Sequence, residues 1–399
     1  MSYQKFKADY LFDGYQLLDS NSVLITNEQG IVQEIIHQED AGDDIQQFEG
    51  MLSPGFINCH CHLELSHMRG LIPEKTGLVD FVFKVVTERH QSEEQILQAI
   101  AHAEAEMVDN GIVAVGDICN NTSTIHQKQK NNLYYYNFIE VSGWLPEIAE
   151  TRFLKSSEFY NVFRQLTIDN CQLSIAPHAP YSVSENLWQL LEPTFENKTT
   201  TIHNQETAFE DDLFLTKTGD FIRMYEMMKL DNSFFMPTGK SSLQSVFHHF
   251  KKAKNTLLVH NTFIKEADIS FVNSFNQNNS QQFFYCLCVR ANNYIEHANP
   301  PVGRLFPSTN NIVIGTDSLA SNWSLSILDE LKTIRQNFPF VPTLNLLQWA
   351  TINGARALNM QQQLGSFEKG KQPGIVNIRH TENGNISQRS IAQTVKKVI

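Results

Sequence analysis

Two histidines placed two residues apart at the end of an apolar run are the strongest chemical signal in this chain. The stretch reads Ser53-Pro-Gly-Phe-Ile-Asn-Cys-His-Cys-His62. In an extended strand, residues two apart share a face. His60 and His62 are therefore expected to project together, with Cys59 and Cys61 on the other side. Two imidazoles on one face at a strand end suit a divalent metal. The plainer alternative is a pair of histidines that satisfy each other's hydrogen bonds.

Three later segments repeat the pattern of an apolar run ending in a polar residue. One is Thr201-Ile-His-Asn-Gln-Glu206, another Leu257-Leu-Val-His260, and the third Ile314-Gly-Thr-Asp317. Each alone has a structural explanation, since Asp317 could simply cap a following helix. Together they offer three histidines and one aspartate, His60, His62, His203 and Asp317, with His260 beside them. Nitrogen and carboxylate ligands with an open position are the donor set of a catalytic divalent metal. A fourth run ends Ile175-Ala-Pro-His178 and carries no lysine that could be carbamylated into a bridge between two metals. A single metal is expected.

These residues need strands to present them. Eight apolar runs qualify: Leu52 to His60, Ile112 to Ile118, Leu133 to Val141, Leu173 to Ala176, Thr200 to His203, Thr256 to His260, Phe283 to Cys288 and Ile312 to Thr316. Between them lie segments with helical periodicity, such as Ser92 to Val108 and Ser324 to Phe338. Eight strands alternating with helices predict an α/β fold, a (β/α)8 barrel spanning 52–364, with a doubly wound sheet as the alternative. In a barrel, strand C-termini from distant parts of the chain meet at one mouth. Short β segments at both ends (Ala8 to Phe12, Ser22 to Thr26, Ile31 to Ile36, Ile375 to Arg379, with a turn at Asn383-Gly384) predict a small β-sandwich domain formed by 1–51 and 365–399.

The chain has 399 residues, 41% of them hydrophobic and 19% charged, which is ordinary globular composition. A net charge of -12 with no Lys/Arg block argues against nucleic acid or an anionic membrane surface as partner. No apolar run approaches the roughly 18 residues of a membrane span, and the opening residues lack a signal-peptide core. The six cysteines form no Cys-x-x-Cys pair and lie mostly in apolar runs, so they read as packing residues in a reducing, cytoplasmic setting.

Pro54-Gly-Phe-Ile-Asn-Cys-His-Cys-His62, His203-Asn-Gln-Glu206, Leu258-Val-His260 and Gly315-Thr-Asp-Ser-Leu-Ala-Ser-Asn322 resemble the amidohydrolase superfamily, in its aminohydrolase/chlorohydrolase branch. That branch includes S-adenosylhomocysteine/methylthioadenosine deaminases, aminodeoxyfutalosine deaminases, guanine deaminases and triazine hydrolases. The resemblance runs from Leu52 to about Gly374. It implies one divalent ion, zinc first and iron second, held by His60, His62, His203 and Asp317. It also implies that Glu206 shuttles protons, that His260 orients the water, that His178 touches substrate, and that the chain forms a homodimer. One departure is Cys288-Val-Arg-Ala-Asn292, where such proteins often carry proline after the cysteine.

The expected chemistry follows from the residue types. A bound metal lowers the pKa of its water to about 7. Asp317 and His260 then handle that water, while Glu206 protonates a ring nitrogen and the leaving amine. An ordinary amide needs no donor aimed at a ring nitrogen, so Glu206 favours deamination. The substrate is a small molecule, an adenine-like nucleoside in the first reading. His178, Glu64, Glu140, Trp144, Arg290 and Asn292 are the expected substrate contacts. The run His62-Leu-Glu-Leu-Ser66 and Asn261-Thr-Phe263 are most similar to aminodeoxyfutalosine deaminases. Hydrolysis of chloride or another C–N bond on a triazine, guanine or pterin ring is the alternative, and a barrel without catalysis the third possibility.

Overall fold

The computed structural model describes residues 3–165 and 171–379 and the backbone of 395–397. The turn expected at Asn383-Gly384 lies outside the described residues. Eight strands form two four-stranded parallel sheets in chain order. The first holds β1 (Phe56–Cys61), β2 (Ile112–Cys119), β3 (Tyr134–Val141) and β4 (Cys171–Pro177). The second holds β5 (Thr199–Asn204), β6 (Asn255–His260), β7 (Gln282–Leu287) and β8 (Ile312–Ile314). Each of the eight falls on one of the apolar runs, with ends that differ by a few residues, because strands buried on both faces read as continuous apolar stretches rather than alternating ones.

Helices cover these sheets. The helix α1 (Glu93–Asp109) starts where its sequence says it should: Ser92 and Gln95 form a reciprocal capping box. Its Ile100, Ala103 and Met107 are buried in the main core with Val115, Tyr135 and Ile139. The helix expected over Ser324 to Phe338 begins later, at Ile327, and ends at Asn337. Ser326 caps it by accepting a bond from the Asp329 amide, which leaves Ser324 and Leu325 in the preceding loop. A second cluster, with Ile57, Cys59, Ala176, Val259, Cys286 and Val313, fills the space between the parallel sheets.

The chain ends meet in a third, seven-stranded sheet. Its order is Val395–Lys397, Ile375–Ile378, Ile45–Pro54, Tyr3–Phe12, Ser22–Asn27 and Val32–His37, with Leu17–Leu18 paired to Tyr3–Phe12. Pairing is antiparallel except between Tyr3–Phe12 and Ile45–Pro54. One face buries Phe6, Ala8, Leu24 and Leu52 with Ile375, and the other Val23 and Ile25 with Ala41. The long strand Ile45–Pro54 had no clear apolar pattern in sequence, and it runs across position 51, where the small domain was expected to end. Gly55 then hands the chain to β1. A Cβ there would lie 2.2 Å from Val113 Cγ1 and 2.9 Å from the Pro373 carbonyl, so only glycine passes.

Candidate active site

The expected donors come from strand ends far apart in sequence. β1 stops at Cys61, so His62 sits one residue beyond it, at the start of a short 3-10 turn. A register irregularity between Asn58 and Cys61 breaks strict alternation. Cys59 and Cys61 consequently do not share a side: Cys59 packs between the sheets and Cys61 packs with Val115 and Cys119. β8 is also shorter than expected. It ends at Ile314, and the amides of Thr316 and Asp317 both donate to the His60 carbonyl at 3.0 Å. Asp317 holds the left-handed conformation (φ 58°), which is uncommon for a residue with a side chain. His260 (φ 73°), Asn261 (φ 55°) and Gln205 (φ 44°) do the same at the ends of β6 and β5. Strained backbone gathered at three strand ends is characteristic of functional sites.

Four donor atoms face one point. His62 Nε2 lies 3.2 Å from His60 Nε2 and 3.4 Å from His203 Nε2. Asp317 Oδ1 lies 3.6 Å from His60 Nε2 and 3.4 Å from His62 Nε2. Tetrahedral coordination with arms of about 2.0–2.1 Å has edges of about 3.3 Å, so the spacing fits a zinc-sized ion. The protonation pattern fits as well. His203 Nδ1 donates to the His178 carbonyl at 2.7 Å, which turns its Nε2 lone pair inward. Burial holds the His62 and His203 imidazoles below their ordinary pKa and keeps them neutral. Burial alone would raise the Asp317 carboxyl, but contact with His60 and the neighbouring imidazoles hold it far below the usual carboxylate range. The three imidazoles are grouped closely enough to hold a metal ion, with the Asp317 carboxylate beside them. A second grouping, Glu140, His178 and His203, is less suited to a metal because His203 Nδ1 already donates to the His178 carbonyl.

Two groups stand beside the donors without joining them. His260 Nε2 is 3.5 Å from Glu206 Oε2, and its Nδ1 meets Asn292 Oδ1 at 2.8 Å. Burial, reinforced by the Asp317 charge, pushes the Glu206 carboxyl well above the usual range, which favours its protonated form. Burial pushes His260 down to about 4. Ser321 donates to Asp317 Oδ2 at 2.6 Å and fixes the carboxylate from behind.

A cavity of about 590 Å³ opens over this centre. His178, Glu64, Glu140 and Trp144 line it, together with His62, His203, Glu206, His260 and Asp317. Asn120 ties two of these carboxylates in place: its amide donates to Glu64 and its side chain to Glu140, both at 2.9 Å. Arg290 and Asn292, also expected to touch substrate, are not among the residues that line the cavity. The Arg290 side chain bonds Asn322 and lies over the Trp323 ring, and the Asn292 Oδ1 meets His260. Sequence reasoning also missed Arg89, Arg152 and Lys155 on the cavity wall. Among the described residues none of the three forms an ion pair with a carboxylate. They come from helices or helix ends, where no apolar run with a polar end advertises them.

A sheet-centred α/β fold carrying a His-x-His strand end and a buried acid defines a class of metal-dependent hydrolases. The sequence profile described as "Amidohydrolase family" matches residues 51–399, and the chain belongs to that family. It is therefore an enzyme of the family's hydrolytic kind, acting on carbon–nitrogen bonds. A 5-methylthioadenosine/S-adenosylhomocysteine deaminase from Teredinibacter turnerae is 24% identical over 342 residues, covering 82% of this chain and 71% of the relative. Among solved structures, aminofutalosine deaminase from Helicobacter pylori with methylthio-coformycin superposes with TM-score 0.78 at 21% identity, over 99% of this chain and 100% of that one. Atrazine chlorohydrolase from Arthrobacter aurescens complexed with zinc superposes with TM-score 0.76 at 13% identity, over 98% of this chain and 92% of that one.

Proposed function

We propose that this enzyme hydrolytically deaminates an adenine-like heterocycle, releasing ammonia, with one divalent ion, zinc ahead of iron, held by His60, His62, His203 and Asp317. The observation that carries the reading is Glu206. It is a buried carboxyl beside the donor ring, within 3.5 Å of His260; its burial favours the protonated form, and it makes no contact that would mark it as a ligand. A divalent ion at the four donors would supply Lewis acidity and a water of pKa about 7. In the proposed reaction His260 orients the attacking water and Asp317 accepts its proton. Glu206 gives its proton to the ring nitrogen next to the amino-bearing carbon, takes one up again from Asp317, and delivers it to the leaving amine. The carbon–nitrogen bond breaks and ammonia departs as the hydroxyl on the attacked carbon passes its proton back to Glu206, which leaves a ring carbonyl and restores the acid. The Arg89, Arg152 and Lys155 wall favours a ring that carries an anionic arm over one with a neutral arm.

The architectural reading belongs to the same proposal: the two parallel sheets close into one (β/α)8 barrel over 52–364, beside a β-sandwich built from 1–51 and 365–399. Bonds across both seams support closure, from the His203 amide to the His178 carbonyl at 2.9 Å and from Asp317 to His60. Six unpaired cysteines are in keeping with a cytoplasmic setting. A second reading, displacement of chloride from a related ring, draws support from the likeness to atrazine chlorohydrolase. Glu206→Gln distinguishes the two. The variant should keep its metal and its fold, while ammonia release falls by about 10² to 10⁴. A chloro analogue, whose leaving group needs no proton, should lose less. Near wild-type deamination by Glu206→Gln would remove the case for a deaminase.

A further inference from the structure

We infer that Glu210 is a positioning residue that sets the place of the Glu206 carboxyl. The inference rests on the proton-shuttle role proposed above for Glu206. After β5 the chain must turn back within two residues to bring Glu206 towards His260. Gln205 makes that turn in the left-handed region (φ 44°), which a residue with a side chain rarely holds unless its surroundings impose it.

Glu210 supplies the constraint. It lies in the first turn of α2 (Phe209–Thr216) and is completely buried. Its two carboxylate oxygens reach back to consecutive amides: Oε1 accepts from Gln205 N at 3.0 Å, and Oε2 from Glu206 N at 3.3 Å. Among the described residues it forms no ion pair; the Ser242 side chain lies beside it, and its two oxygens are taken up by these two amides. The Gln205 side chain is pinned from the other direction, donating to Asp211 Oδ1 at 3.1 Å and Asp268 Oδ2 at 2.9 Å. Backbone and side chain of Gln205 are thus held by Glu210 and Asp211 of α2 together with Asp268 of the helix Glu266–Asn278. The outcome of the clamp is the 3.5 Å approach of Glu206 to His260. A misplacement of about 1 Å at a reacting group costs about 10²-fold in rate.

A plain helix cap would look similar in a static structure, and kinetics separate the two. The metal-loaded enzyme and its Glu210→Ala and Glu210→Gln variants are compared for ammonia release from a panel of adenine nucleosides. Positioning predicts that kcat falls by about 10²-fold in Glu210→Ala at unchanged KM and metal content. The isosteric Glu210→Gln, which can accept only one of the two amide bonds, should lose about tenfold, and it also serves if the alanine variant fails to fold. Combining Glu210→Gln with Glu206→Gln should add nothing to the loss from Glu206→Gln alone, because the positioned group is already gone. A well-folded Glu210→Gln with wild-type kcat, or losses that multiply in the double variant, overturns the inference. If the wild-type enzyme releases no ammonia from any member of the panel, the deaminase reading fails separately. Crystal structures of wild type and Glu210→Gln with metal then decide the geometry. A Glu206 carboxyl displaced from His260 with the four donors in place supports the clamp, and an unmoved Glu206 overturns it.

Discussion

The donor ring and the outer wall of the cavity are built in opposite ways. Every donor sits at a strand end or just past one and is buried, and two are tied to backbone, the Asp317 amide to the His60 carbonyl and the His203 ring to that of His178. The outer wall draws Arg152 and Lys155 from one exposed helix face and Phe81, Val82 and Val85 from another helix. Groups that must hold a fixed spacing are set by the sheets, whose hydrogen-bonded register leaves little freedom. The groups proposed to select a substrate ride on helices, where a side chain changes without disturbing a neighbour. If this contrast holds, damage to the two regions should differ in kind as well as in size.

The largest effect is expected in the ring. His60→Ala or Asp317→Ala should lose both tightly bound metal and activity, read by metal analysis of the purified protein alongside turnover. Two equivalents of metal, both needed for turnover, would overturn the single-ion arrangement. Next comes the support behind the ring. Glu330 accepts from Asn322 Nδ2 at 2.9 Å and from the Arg290 amide at 3.1 Å, and burial pushes its carboxyl from the usual 4.5 up to about 8. Between those two pH values the folded chain keeps a proton that the unfolded chain releases. Wild-type stability is therefore lost as pH rises through that window, by up to about 1.4 kcal/mol per unit. Glu330→Gln does not titrate. Its stability relative to wild type, from urea unfolding at a series of pH values, should climb between pH 4.5 and 8 and level off above. A difference that does not vary with pH would mean that Glu330 is ionised in the fold.

On the outer wall the expected loss is smaller and falls on binding. Arg152→Ala with Lys155→Ala should raise KM for an anionic substrate by about tenfold with kcat nearly unchanged, since the lost contact serves ground and transition states alike. A neutral-armed substrate should lose less, and an equal loss for both would remove the case for an anionic arm. The smallest effect belongs to the cysteines. Cys61→Ala should cost about 1 kcal/mol of stability by thermal or urea unfolding and leave metal content intact. Loss of metal with the fold preserved would place the sulfur on the donor side of β1.

The same contrast explains what could be read before any coordinates. Apolar runs ending in histidine or aspartate mark strand ends in one dimension, so β1 to β8 and the polar residues at their tips were legible. The strand Ile45–Pro54 was not, because Ile45-Gln-Gln-Phe-Glu presents no clear period and its pairing on both sides is non-local. That Arg290 and Asn292 lie off the cavity lining was not legible either, for a related reason. Proximity to a strand end in sequence says nothing about which way a side chain leaves the helix that follows.

By itself, the sequence determined which residues have the chemistry for a metal centre, their order on successive strands, and the family to which the chain belongs. Local apolar patterning and residue type carry that information along the chain. Tertiary structure alone decided the spacings of 3.2 to 3.6 Å among four donors, the left-handed turns at Gln205, His260 and Asp317, and the two bonds from Glu210. Those depend on contacts between strands separated by up to 258 positions, such as Asn58 to Thr316, and on burial that shifts each proton equilibrium. Neither quantity exists until the chain has closed on itself.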